Sequence, residues 1–426
     1  MKANITFFIL FAFSATIASA QTFNVDADIR SRFEYRHGFG NLFPDDAEPA
    51  AFVTQRSRLN FAYGTEWLSA FISVQDVSTW GDTRQILPSD NNDSFSLFQA
   101  WVELKVDEHW STKLGRQVIA YDDQRIFGGL DWAMQGRFHD AALIKYKNDS
   151  FNMDLGFAFS QEEQRIIGTD YTITGFFTYK TMQFAHLSKS WEKSSLSFLF
   201  LNNGFQKYNE EEEADGTYNR QTTGAYFTFP IGAIKFAGSG YYQFGKANAS
   251  TDLSAYQLSL EGSYKPGSTL FALGYEMLSG TDQTGDSKNK SFFPLYGTNH
   301  KFNGFMDYFY VGNHANNVGL NDLYAKIVFK TGEKSNFLVK GHYFAANADL
   351  AEDGDSYLGT EVDLVFTQPL VKNVVLNLGY SHMFASDSMS LIKGGLPADN
   401  TNNWGWAQLI INPNLFKHVF TAEEQQ

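Results

Sequence analysis

The sequence predicts an all-β chain: a closed, transmembrane antiparallel β-barrel of about eighteen strands, with short turns at one end and long loops at the other. Three observations predict it. Polar and apolar residues alternate over runs that reach the roughly 9–11 residues a tilted strand needs to cross a bilayer. Short and long connections follow one another in alternation along the chain. The composition joins 41 Phe, 21 Tyr and 8 Trp to 35 Gly and only 9 Pro, which suits many strands ringed by aromatic girdles.

Residues 1–20 read as a secretory signal. Lys2 is the positive start, Ile5 to Phe13 the apolar segment and Ala18-Ser19-Ala20 the cleavage site, so the mature chain is expected to begin at Gln21. That apolar run is too short for a spanning helix, and no long apolar segment follows it. The barrel is expected over residues 21–416, closing on Leu415-Phe416, with 417–426 as a short tail. With no cysteine in the chain, disulfides, thiolate metal sites and a cysteine nucleophile are excluded. A net charge of -14 argues against nucleic acid as a partner. Yet every arginine except Arg220 lies before residue 166, so the acidic total hides a locally basic N-terminal part.

From Phe23 to Arg36 the alternation is nearly strict. Phe23, Val25, Ala27, Ile29, Phe33 and Tyr35 share one face, while Asp26, Asp28, Arg30, Arg32, Glu34 and Arg36 share the other. One face suits lipid; the other needs water or counter-charges. The pattern recurs around Arg56 and Arg58, Glu103 and Lys105, Phe151 to Ser160, Tyr256 to Lys265, and Glu361 with Asp363. Short connections such as Gly64-Thr65-Glu66 and Lys265-Pro266-Gly267-Ser268 read as periplasmic turns. Long ones near 37–51, 79–95, 120–136, 161–173, 204–219, 245–253, 280–319, 348–355 and 387–402 read as extracellular loops, with both termini periplasmic. The 170–190 region reads as one long strand, which keeps the parity even. The 280–319 connection carries Phe292, Phe293, Leu295, Tyr296, Phe302, Phe305, Tyr308, Phe309 and Tyr310. So much apolar surface is expected to fold over or into the barrel mouth.

A barrel of this size encloses an aqueous channel unless loops plug it. Arginine rings favour anions in such a pore, and the planar guanidinium matches carboxylates bidentately. Strand parity nominates Arg30, Arg32, Arg56 and Arg58 as pore-lining; Arg84, Arg116, Arg125 and Arg137 join them from strand ends and loops. Asp26, Asp28, Glu34, Glu103 and Asp131 are the candidate counter-charges, with Asp76 also in reach. The competing reading is that these arginines only pair with such acids and stiffen the wall. Other readings of the barrel are a general diffusion porin, a plugged structural or adhesive barrel, and an outer-membrane hydrolase. For the last, His139-Asp140 is the one suggestive pair, and no serine stands in a nucleophile motif. Glu210 to Glu213 reads as a solvated acidic run, and His300 as a loop-packing residue rather than a metal ligand. No cofactor and no metal is called for. The partners expected are an anionic solute and outer-membrane lipid.

The run LGRQVIAYDDQRIFGGLDWAMQGRFHDAA at 114–142 resembles the signature of the alginate export family of outer-membrane porins. So do VQDVSTWGD at 74–82, FFPLYGTNHKFNGFMDYF at 292–309, GLNDLY at 319–324 and GTEVDLVF at 359–366. The resemblance implies an eighteen-stranded barrel whose narrow, arginine-rich constriction passes an anionic polyuronate. It carries over to Arg116, Arg125 and Arg137 within the motif and to Arg56 and Arg58 in the early strand. The later strands depart from that pattern, because they carry no arginine.

Overall fold

A computed structural model describes residues 21–83, 94–171, 178–285, 287–310, 314, 317–351 and 354–420. Alternating sequence becomes strand throughout: β1 (Gln21–His37), β2 (Ala50–Gly64), β3 (Leu68–Thr79), β4 (Phe95–Lys105), β5 (Trp110–Gln117), β6 (His139–Lys147), β7 (Phe151–Phe159), β8 (Thr181–Ser190) and β9 (Ser195–Tyr208). The second half holds β10 (Ala214–Ile231), β11 (Ile234–Lys246), β12 (Asp252–Tyr264), β13 (Leu270–Leu278), β14 (Leu320–Lys330), β15 (Asn336–Ala345), β16 (Tyr357–Val371) and β17 (Val374–Ala385). The last strand, β18, has two halves, Asn402–Ile411 and Asn414–Phe420. Both halves pair antiparallel with β1, so the sheet closes as an eighteen-stranded barrel. Pro413 causes the break, since it has no N–H to give the ladder; its carbonyl still accepts from Ala27 N at 3.1 Å.

Closure leaves no unpaired sheet edge along the wall, the condition for strands to span lipid. Apolar residues face out: Ile29, Phe33, Leu59, Leu104, Leu258 and Leu273 are all exposed. Their alternate neighbours point inward. The tight turns use backbone that favours glycine or asparagine, with Gly232 at φ 59° and Asn373 at φ 65°.

Two boundaries differ from the sequence expectation. The closing strand runs past Phe416 to another aromatic, Phe420. The expected long loop at 204–219 is mostly strand, because β9 and β10 form a tall hairpin joined only by residues 209–213. Above the lipid both strand faces are wet, so polar residues there are compatible with pairing: Lys207 meets Asp215 at 2.8 Å and Phe205 stacks on Tyr218. The 170–190 region contributes one described strand, β8, and Arg84 lies outside the described residues.

The core sits inside the barrel. Residues 118–138 and the described residues of the 279–319 connection turn inward and bury Phe127, Leu295, Tyr296, Met306 and Tyr308 at 1% exposure or less. Each such side chain contributes roughly 1.5–3 kcal/mol by leaving water. The loops interlock through backbone: Gly128 N donates to Tyr296 O and Thr298 N to Gln124 O, both at 2.9 Å. Asp122, Gln124, Leu130, Leu295, Asn303 and Asp307, all in these loops, hold positive φ. For non-glycine residues this costs energy and persists only when packing enforces it. At Gly297 an added Cβ would lie 2.2 Å from Arg125 O. Gly297→Ala is therefore expected to separate the loops. Limited proteolysis of the folded barrel in outer-membrane vesicles should cut within 118–138 in the variant and spare the parent.

Candidate pore-lining site

The inward rows of β1 and β2 place Arg30 directly opposite Arg56 and Asp28 opposite Arg58. Like charges opposite each other repel, and both guanidiniums are buried, at 6% and 0% exposure. The 118–138 loop supplies the answer. Asp131 accepts from Arg30 Nη2 at 2.8 Å through Oδ2 and from Arg56 Nη1 at 2.9 Å through Oδ1. Its side chain stays 64% exposed, so the carboxylate forms the solvent edge of a buried basic pair. Asp28 also bonds Arg56 and lies 3.7 Å from Arg30. Arg32 pairs with Glu34 at 2.9 Å, donates to Trp132 O at 2.8 Å and stacks over the Trp132 ring. Arg58 lies over the Phe98 ring and donates to Gln75, which in turn donates to Gln135 O at 3.0 Å.

The other two loop arginines join the inward loops to each other and to the far wall. Arg125 crosses the lumen to Glu276 on β13 at 2.8 Å and donates to Asn303 at 2.8 Å. Arg137 donates to Gly297 O at 3.2 Å.

Several sequence assignments change. Arg116 does not line the lumen: it pairs at 2.9 Å with Asp140, on the outward side of β6 with the exposed Ile144. On β5 it shares parity with the exposed Leu114, and the strand turns through Gly115 at φ 116°. Asp26 and Glu103 face the lumen but meet no arginine among the described residues: Asp26 accepts from Asn24 and Asn60, and Glu103 accepts from Ser111 at 2.7 Å. Asp76 bonds Ser78 and Ser94. His139 and Asp140 point to opposite faces; His139 contacts Tyr179 Oη at 3.0 Å inside, so the two do not form an acid–base pair. His300 packs as expected of a loop residue, stacked on Trp132 and 2.9 Å from Asp307.

Two lysines outside the candidate set also face the lumen. Lys326 on β14 and Lys340 on β15 face each other in register on the lumen side. With Lys301 they line a cavity of about 360 Å³ beneath the inward loops, on the short-turn halves of the strands. Their alternation with Ala325, Ile327, Val339 and Gly341 was the available signal. A second cavity, about 470 Å³, lies between β4 and β8 and holds Glu103, Lys145, Asp154 and His186.

Asp123, in the first inward loop, also lines the lysine cavity. Burial pushes its carboxyl up to about 6, although the Arg125 backbone N–H and Lys301 oppose the shift. A raised carboxyl binds its proton more tightly in the folded state, so its contribution to stability falls as pH rises from the ordinary value near about 4 toward 6. Above that range the cavity gains one negative charge. Lowering the pH from 7 to 5 should therefore increase the anion/cation permeability ratio in bilayer recordings, and Asp123→Asn should flatten that step.

The alginate export family model matches residues 21–391. Among solved structures, OpdL of Pseudomonas aeruginosa superposes with a TM-score of 0.62 at 12% identity, covering 92% of this chain and 99% of that one. The outer membrane protein OprD of the same organism gives 0.59 at 12%, covering 92% and 94%. OccAB4 of Acinetobacter baumannii gives 0.58 at 15%, covering 94% and 98%. No curated protein matches the chain. The solved structures share the barrel fold, and with a family match running from the first strand to beyond the seventeenth, the chain belongs to the alginate export family, as an outer-membrane barrel channel rather than an enzyme.

Proposed function

We propose that the channel passes anionic solutes, uronate-type poly- or oligosaccharides such as alginate, along an arginine-lined wall. One observation carries this reading. Arg30 and Arg56, both buried, converge on a single carboxylate at the solvent edge, that of Asp131. Bidentate arginine geometry fits a planar carboxylate, and a uronate presents the same group. A solute carboxylate arriving at the pair competes with Asp131, and the 118–138 loop yields as it does so. Passage then proceeds by exchange between forks, none binding too tightly to release. The acidic net charge does not oppose this. The run Glu210 to Glu213 sits at the tip of the tall hairpin, and exposed charge is screened over a Debye length of about 8 Å.

A second reading, a plugged structural barrel, is favoured by the apolar packing between the inward loops. Conductance separates the two. Under the channel reading, Asp131→Ala should raise single-channel conductance about twofold or more, because the loop loses charged hydrogen bonds worth roughly 1.5–3 kcal/mol each. The double variant Arg30→Gln with Arg56→Gln should lower the anion/cation permeability ratio in a salt gradient and weaken block by oligouronates. Arg116→Ala, on the outer face, should change neither. A folded double variant with the parent's reversal potential would sink the selectivity reading, and a closed parent barrel would sink the channel reading.

A further inference from the structure

The lysine cavity holds a cation with no direct ion-pair partner among the described residues. Lys340 is 8% exposed, and its Nζ lies 4.6 Å from the Tyr324 ring centroid and 5.7 Å from that of Phe305. Among the described residues no carboxylate reaches it within salt-bridge distance, and no hydrogen bond satisfies it. Directly across the ladder stands a second ammonium, Lys326, whose partner is Glu261 at 3.0 Å. The cavity's acids bond groups other than Lys340. Glu261 also accepts from Tyr324 Oη at 3.0 Å, Glu276 holds Arg125, and Asp322 meets His342 at 2.8 Å. Asp123 accepts the Arg125 backbone N–H at 3.0 Å. A buried ammonium whose nearest carboxylates, Asp322, Asp363 and Glu261, act only from beyond contact distance is costly, and a second ammonium facing it across the ladder adds to that cost. An anion entering the cavity relieves both.

The walls say what kind of anion fits. Phe302, Phe305 and Tyr324 give flat apolar faces beside the ammoniums, and such faces pack well against the C–H face of a sugar ring. The volume of about 360 Å³ falls at the lower end of small-molecule sites, about 300–1,000 Å³. We infer that Lys340, with Lys326 and the rings of Phe305 and Tyr324, forms a docking subsite for one acidic sugar unit on the short-turn side of the inward loops. The subsite rests on the anionic-solute reading above and deepens it. It supplies basic side chains on strands that carry no arginine, so a solute chain meets cations on both sides of the inward loops.

Planar-bilayer block by a uronate oligomer, added to each side in turn, tests this against a neutral oligosaccharide of equal length. Lys340→Gln should raise the half-blocking concentration of the uronate about tenfold from the short-turn side only, equivalent to about 1.4 kcal/mol. It should leave block by the neutral oligomer unchanged. Lys340→Arg, which keeps the cation, should stay within about threefold of the parent. Unchanged uronate block in folded Lys340→Gln, or equal losses for both oligomers, overturns the subsite and leaves the anionic-solute reading standing. A parent channel that no uronate blocks from either side overturns both. If Lys340→Gln does not reach the heat-modifiable folded form, carbodiimide coupling of the uronate to the parent channel replaces it. Peptide mapping should then find the adduct at Lys340, and its absence there overturns the proposal.

Discussion

Two arginines facing each other across one rung of a sheet, both removed from water, are the arrangement on which the interior depends. Arg30 and Arg56 cannot share that rung without a carboxylate, because buried like charges are far costlier than exposed ones. The barrel wall supplies Asp28, and the remaining charge comes from a loop that must enter the lumen to deliver Asp131. Once inside, that loop brings Trp132, Phe127 and Arg125 with it, and the second loop packs over them. The first inward loop is in this sense the counter-ion of the wall. Charges that are dispensable on a soluble protein's surface here decide where some twenty residues of backbone run.

Alternation made the wall legible in the sequence. Its period of two places Arg30, Arg32, Arg56 and Arg58 inside, and the structure has them there. It worked because a lipid-facing row tolerates few polar residues, so the two faces differ sharply in chemistry. Where lipid ends the contrast ends too, and so did the reading. Arg116 sits at a strand end beside a glycine in the left-handed region, and its partner Asp140 is twenty-four residues on; neither fact is visible from residue type. The tall hairpin read as loop for the same reason, since strands wet on both faces lose their pattern.

The aromatic content of 279–319 signalled burial, but not its partners. Phe127 and Tyr296 meet across a parallel bridge between segments far apart in the chain, and no local periodicity encodes such a meeting. The lysines illustrate a different gap. Lys326 and Lys340 obey the same inward parity as the arginines, and their interest lies in what is missing around Lys340, a property of three dimensions alone. Arg125 stands between these cases: its charge marked it as a candidate, while its bond to Glu276 across the lumen belongs to the tertiary fold.

The seam between β1 and β18 joins the two ends of the chain, pairing Ile29 with Ile411. Bringing those ends together closes the longest loop in the molecule, and contacts of such sequence separation form late and slowly. Trp132 lies against both Trp404 and Trp406 of β18, at 5.5 and 4.9 Å, while its neighbour Asp131 grips β1 and β2. The first inward loop thus spans the seam and can reach its full set of contacts only after the last strand has docked. Folding order and loop seating are coupled in consequence: a nascent barrel still open at the seam has no seated inward loop, and the step that completes the wall is the same step that lets that loop lock.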